Sequence, residues 1–359
     1  MDEAAPDLPR KGRGTISNRT GRFETETRIS VLDEWPGDGE PPPPLRTTLS
    51  VDSARRVITY NESPDIPFDR SINPYRGCEH GCVYCFARPT HAYYGLSPGL
   101  DFESKLFYKP DAPDILRREL RDPKYRVAPI ALGTNTDPYQ PIDRDIGLTR
   151  DILSVLRDFR HPVTIVTKSN AILRDVDILS ELAAQNMASV CISVTTLDRR
   201  LARLMEPRAP TPARRVETIR ALNAAGIPTA ALVAPIVPAI NDMDLDRIVD
   251  AVADAKAVAA GYVMLRLPLE IADLFEEWLE THFPDRRRRV MSLIRQTREG
   301  AVYRAQWGKR MTGTGPYADL VRQRFALALK RNGLRRRTLS LDTSRFRPPP
   351  APGDQLSLL

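Results

Sequence analysis

RGCEHGCVYC, residues 76–85, spaces three thiols as C-x3-C-x2-C and holds three of the four cysteines in this 359-residue chain. Secreted disulfide frameworks spread their cysteines in pairs, whereas thiols crowded into one loop point to a reduced compartment and a metal. The run follows directly on a predicted strand, Ser71–Arg76, so a compact loop is expected to bring all three thiols to one point. Gly77 and Gly81 let that loop turn tightly and approach its cargo closely. Three thiolates hold three corners of an iron–sulfur cubane and leave the fourth iron open to a substrate. The alternative is a structural zinc, which takes four protein ligands, the fourth drawn from His80, His91 or Cys191. His80 sits between two of the thiols and is expected to point off the loop, and Cys191 falls within a strand expected to be buried.

Outward from the loop, short β-branched runs alternate with amphipathic helical segments, the pattern of parallel strands joined by helical crossovers. Further strands are predicted at Ile130–Thr134, Val163–Thr167, Ala188–Thr195, Thr229–Ile236 and Tyr262–Leu267, with helices at Ala112–Arg121, Leu148–Phe159, Val176–Gln185, Pro212–Ala225 and Met243–Ala259. Six consecutive units give an α/β fold, a partial TIM-type (β/α)6 barrel whose C-terminal strand ends carry the site. A helical C-terminal extension is expected over residues 271–336, closing one side of a barrel that occupies residues 51–270. Polar, Pro-rich arms, residues 1–50 and 337–359, are expected to be largely disordered.

A hydrophobic content of 42% suffices for one large core. No stretch approaches the roughly 18 to 20 uninterrupted apolar residues of a membrane span, and MDEAAPDLPRKGRG lacks an apolar signal core. A soluble cytoplasmic protein with no membrane partner is therefore expected. The net charge of +7, with basic runs at Arg286–Arg289 and over Lys330, Arg331 and Arg335–Arg337, suits either solvated faces or a polyanionic partner.

With Tyr84 as its aromatic, C-x3-C-x-aromatic-C resembles the defining motif of the radical S-adenosyl-L-methionine (SAM) superfamily. That resemblance implies a [4Fe–4S] cluster on Cys78, Cys82 and Cys85, whose open iron is chelated by the methionine part of SAM. It also implies reductive cleavage to methionine and a 5′-deoxyadenosyl radical, an electron donor such as flavodoxin or ferredoxin, and Tyr84 beside the adenine. The segments SINPYRGCEHGCVYCFARPTHAYYGLSPGLDFESK and GTNTDPYQPIDRDIGLTR resemble the spore photoproduct lyase-like, DNA-repair-photolyase-like branch, and more specifically an uncharacterised bacterial subgroup of it. From that branch, Thr136, Lys168 and Ser193 match residues that contact the amino-acid part and ribose of SAM. A lysine ammonium pairs with carboxylate, and hydroxyls bond carboxylate or sugar oxygens. One departure stands out: where spore photoproduct lyases carry a hydrogen-donating cysteine, this chain has Thr134, a poor hydrogen-atom donor. Cys191 lies on a different strand and is expected to pack in the core.

Other candidates are mixed. Asp137 and Gln140 face substrate or cap a loop; Glu206 and Arg208 hold a ligand carboxylate or each other. The Arg310–Gly315 turn offers backbone N–H groups to a phosphate, without P-loop spacing. Gln355–Leu359, QLSLL, resembles the peptide with which bacterial repair and replication proteins dock into the sliding clamp. Together these features lead to a repair-like, lyase-type radical SAM enzyme acting on nucleic acid. The competing readings are the same chemistry on a protein, peptide or small molecule, and a non-catalytic, metal-stabilised nucleic-acid-binding module.

Overall fold

Six strands, β1 (Arg70–Ile72), β2 (Ile130–Leu132), β3 (Val163–Thr167), β4 (Ala188–Ser193), β5 (Thr229–Ile236) and β6 (Ala259–Met264), stand in chain order and run parallel to one another. The computed structural model describes residues 8–27, 45–336 and 340–350. Crossover helices α1 (Ala112–Leu120), α2 (Leu148–Asp158), α3 (Val176–Ala183), α4 (Pro212–Ala224) and α5 (Leu245–Asp254) link the strands. β1 and β6 are not paired, as a partial barrel requires, and a short antiparallel strand, Thr59–Tyr60, covers the free edge of β1.

Strand period explains the core. On β3, Val163 and Ile165 are buried while Thr164 and Val166 are half-buried; on β4, Val190 and Ile192 are buried while Ser189 and Cys191 are half-buried. The buried set joins Ile152, Leu156, Leu179 and Ile248 of the helices in one apolar cluster, each such side chain contributing about 1.5 to 3 kcal/mol. The alternate set, small and partly polar, lines the concave face and leaves it open.

Four strands differ in their bounds from expectation: β2 and β4 end two residues early, at Leu132 and Ser193, and β1 and β6 differ at both ends. The first strand ends at Ile72, because Pro74 has no N–H to continue the ladder. Tyr75–Arg76 instead pairs antiparallel with Lys105–Tyr108, which runs parallel to Thr48–Val51, forming a second, three-stranded sheet. β6 begins three residues early, at Ala259, where Ala260 N–H donates to Arg335 O at 3.0 Å.

After β6 the chain is mainly helical: α6 (Ile271–His282), α7 (Pro284–Gln296) and α8 (Gly315–Arg331). Trp278 of α6 is fully buried against Phe275, and α8 is held to α5 by Arg324–Asp246 at 2.5 Å and Arg331–Asp250 at 2.6 Å. In the arginine run of α7, Arg287 bonds Glu276 and Glu280, and Arg286, Arg288 and Arg289 are exposed.

The expectation of disordered arms fails over two stretches. Residues 13–18 pack into the body, with Thr15 and Ser17 buried, because Glu103 and Glu277 supply acceptors that composition does not reveal. Residues 340–350 run across the N-terminal ends of β3 and β4, where Arg347 N–H donates to Phe159 O at 3.0 Å and Phe346 packs on His161 and Tyr125. Extended, Pro-rich backbone needs no internal hydrogen bonds, so one aromatic anchor and a few backbone contacts hold it. Gln355–Leu359 lies outside the described residues. Among the described residues, no helix is long and apolar enough to cross a membrane.

Candidate functional site

The cysteine loop opens where the short sheet hands the chain back to the barrel. Gly77 and Gly81 adopt φ of +76° and +66°, and a Cβ on Gly77 would meet Leu106 Cδ2 at 2.6 Å and Phe102 O at 2.8 Å, so only glycine fits. Cys78 N–H donates to Phe102 O at 3.0 Å, and Cys85 N–H to Cys82 O at 3.2 Å. Gln140 clamps the entrance, accepting from Glu79 N–H at 2.8 Å and donating to Gly77 O at 3.3 Å.

Beneath the loop lies a buried ion pair that the sequence does not announce. Arg88 donates to Cys82 O at 2.9 Å, to Gly99 O at 2.9 Å and to Glu103 at 2.5 Å, and neither side chain reaches solvent. Glu103 also accepts from Gly14 N–H, Thr15 N–H and the Thr15 hydroxyl, so the strap of residues 13–18 is tied down by the carboxylate that steadies the loop. A Cβ on Gly14 would fall 1.6 Å from Gly81 O; the strap lies directly on the thiol-bearing turn. Both charges follow the cysteine run in sequence, but no local spacing relates them.

Cys78, Cys82 and Cys85 are free thiols, the first two buried and the third half-buried. They are close enough to repel one another electrostatically, yet among the described residues no three His, Cys, Asp or Glu side chains converge on a single ion. Three thiolates on one loop can hold three irons of a cubane, so the donor set suits a cluster. Of the histidines that could supply zinc with a fourth ligand, His80 Nδ1 lies 3.4 Å from Asp137 Oδ2, and His91 Nε2 lies 2.9 Å from Lys105 O while its Nδ1 is buried without a partner. Burial pushes the Cys82 thiol up to about 12, with the Lys168 charge opposing it, and raises the Cys78 thiol as well. Ionising such thiols calls for the positive charge of a metal.

Facing the loop are the ends of β3 and β4. The Lys168 ammonium lies 5.8 Å from the centroid of the Tyr84 ring and has no carboxylate partner among the described residues. Tyr84 donates its hydroxyl to Glu206, which also accepts from Thr195 at 2.7 Å and pairs with the buried Arg215. Arg215 in turn donates to Ser193 O at 3.2 Å. Glu206 and Arg208 therefore do not hold each other: Arg208 pairs with Glu79 at 3.0 Å. Thr136 is buried beside the loop entrance and donates to Tyr75 O at 3.0 Å. Lys168, Tyr84 and Ser193 come together through this network, and Thr136 sits next to Asp137, which accepts from Lys168 N–H.

Asp137 binds loop to sheet. It accepts from Thr167 Oγ1 at 2.6 Å, Lys168 N–H at 2.8 Å and Tyr139 N–H at 2.9 Å. Burial works against its charge, but His80 and these hydrogen bonds outweigh burial and hold the carboxyl at about 2. Asp137 and Gln140 are thus loop fasteners. The Arg310–Gly315 turn is no anion cradle: Gly313 N–H donates to Lys309 O, Thr314 N–H to Thr297 O, and Arg310 is spent on Asp65 at 2.5 Å. Thr134 exchanges hydrogen bonds with Asn73, and Cys191 lies half-buried on the concave face, where burial raises its thiol to about 12.

A parallel α/β sheet that gathers free thiols and an unpaired lysine at its C-terminal edge defines a cofactor-using enzyme of partial-barrel type. The model of the radical SAM superfamily matches residues 72–252, and the chain belongs to that superfamily. An uncharacterized protein of Mycobacterium bovis is 37% identical over 233 residues, 64% of this chain and 68% of that one. An uncharacterized protein of Methanocaldococcus jannaschii is 28% identical over 214 residues, 60% of this chain and 76% of that one. Among solved structures, a spore photoproduct lyase mutant shares the fold with a TM-score of 0.56 at 16% identity, covering 79% of each chain. Spore photoproduct lyase complexed with dinucleoside spore photoproduct gives 0.55 at 15% identity, again over 79% of each chain. The cofactors are a [4Fe–4S] cluster and SAM, and the chemistry is radical cleavage of SAM.

Proposed function

We propose that this radical SAM enzyme acts on nucleic acid, with Cys78, Cys82 and Cys85 holding the cluster and Tyr84, Thr136, Lys168 and Ser193 arranged around SAM. When bound, the cluster supplies the electron that splits SAM into methionine and a 5′-deoxyadenosyl radical. Lys168 pairs with the SAM carboxylate, and the observation that carries this is its ammonium, unpaired at the thiol loop and beside the Tyr84 ring. Thr136, its proton committed to Tyr75 O, offers lone pairs to the N–H groups of the SAM amino group. Glu206 fixes the Tyr84 hydroxyl so that the ring presents a constant face.

Support for nucleic acid comes from the net charge of +7 and from a fold shared with a lyase whose structure holds a dinucleoside spore photoproduct. The lesion is not spore photoproduct repaired by a thiol at the second strand, since Thr134 occupies that place. Electrons come from a small carrier such as flavodoxin or ferredoxin, and Gln355–Leu359 docks the enzyme on a sliding clamp.

The test is anaerobic reconstitution with iron and sulfide, reduction, and measurement of 5′-deoxyadenosine with and without oligonucleotides. Wild type releases 5′-deoxyadenosine and binds oligonucleotide in a salt-dependent manner; Cys82→Ala retains little iron and releases none. Release without any oligonucleotide binding at moderate salt would move the substrate to a protein, peptide or small molecule.

A further inference from the structure

Where the open side of the barrel meets the cysteine loop, Arg266, Arg298 and Arg310 gather around Asp65 and Cys85. Arg266, two residues past β6, stacks its guanidinium 4.4 Å from the centroid of Phe86, the residue next to Cys85. It is half-buried and, among the described residues, pairs with no carboxylate. Arg298 lies nearby, 2% exposed, its Nη atoms spent on the carbonyls of Met264, Leu265, Lys309 and Arg310. Its Nε is buried with no partner. The neighbouring Asp65 is already held by Arg310 at 2.5 Å and by Gly308 N–H at 2.6 Å. Burial holds Arg298 down to about 10, with the charge of Arg266 adding to that effect.

Arginine cannot shed its proton to relieve such crowding, so two like charges in partly desolvated surroundings call for an anion from outside. Phe86 is 42% exposed, and its ring fixes the plane of the guanidinium while leaving the edge free for bidentate bonding. Asp65 already neutralises Arg310, which leaves Arg266 as the available fork.

We infer that Arg266, stacked on Phe86 and backed by Arg298, forms a phosphodiester-binding subsite that seats the nucleic-acid substrate beside Cys85. The inference rests on the nucleic-acid reading above. The SAM carboxylate has its own cation in Lys168, across the loop, so the two charges divide cofactor from substrate.

The experiment uses the full chain, anaerobically reconstituted, with a short fluorescein-labelled single-stranded oligonucleotide titrated at several KCl concentrations between about 50 and 200 mM. Arg266→Gln is compared with wild type, with Arg266→Lys, and with Arg220→Gln, which removes an exposed charge paired with Glu217 on α4. Iron content and melting temperature confirm each variant as folded and loaded. Arg266→Gln is expected to weaken binding roughly tenfold and to flatten the log–log salt slope by about 0.7, the share of one phosphate. Arg266→Lys keeps the wild-type slope, and Arg220→Gln overlays wild type. Equal slopes and affinities for Arg266→Gln and Arg220→Gln overturn the subsite while the nucleic-acid reading stands. An unchanged slope with weakened SAM binding overturns it in favour of a cofactor contact. Wild type that binds no oligonucleotide overturns both.

Discussion

Asp137→Asn removes the charge that fastens the cysteine loop to the end of β3 and leaves the side-chain shape. A free carboxyl of this kind titrates near 3.8, and this one is held at about 2, which corresponds to about 2 kcal/mol in favour of the charged, folded state. Because the folded value is depressed, that contribution is fully present above about pH 4 and is lost as pH falls toward 2. Asparagine still accepts one hydrogen bond from Thr167 or from Lys168 N–H but gives His80 no charge to face. Differential scanning calorimetry of the metal-free protein at pH 7 is expected to show a melting temperature lower by roughly 4 °C, with the gap to wild type narrowing at pH 3. A variant as stable as wild type at pH 7, or a gap independent of pH, would refute the claim that this carboxylate is held charged by the loop and strand together.

Glu206→Ala strands the buried Arg215 and frees the Tyr84 hydroxyl, with an expected loss of about 3 to 5 kcal/mol by urea titration. Lys168→Met removes the ammonium proposed to pair with the SAM carboxylate, and calorimetric titration under anaerobic conditions should find SAM affinity reduced by roughly ten- to a hundredfold. Gly14→Val cannot seat the strap, since its Cβ lands on Gly81 O; cluster absorbance is expected to bleach several times faster in air, and unaltered bleaching would count against the strap as a cover. Removing Gln355–Leu359 should abolish co-elution with a sliding clamp and leave 5′-deoxyadenosine release intact.

Strand order and helix placement were legible because their signal is local. Val163–Thr167 reads as a strand from β-branched composition alone and Thr229–Ile236 from its place in the strand–helix alternation, and the structure returns the same bounds for both. The split after Ile72 was also written locally, in Pro74, but its consequence depends on Lys105–Tyr108 arriving to take Tyr75–Arg76 as a partner. The thiol loop announced itself through spacing. Its supports did not: Arg88 finds Glu103 fifteen residues on, and Glu206 chooses Arg215 over the nearer Arg208. Such choices are made by side-chain geometry after the backbone has folded, and spacing carries no trace of them. Arg266 was invisible for the same reason, since only tertiary contact brings it to Phe86.

The strap of residues 13–18 also bears on the order in which the enzyme is built. It leaves the ribosome before the loop it covers, and its grip on Glu103 exists only once residue 103 has followed. With the strap seated, Cys78 and Cys82 each keep 7% of their surface open and Cys85 is half-buried. Short peripheral segments open at a small fraction of the free energy of global unfolding, so the strap can lift while the barrel stays folded. A segment that reads as filler in the sequence thus lies as a cover over the thiol-bearing turn.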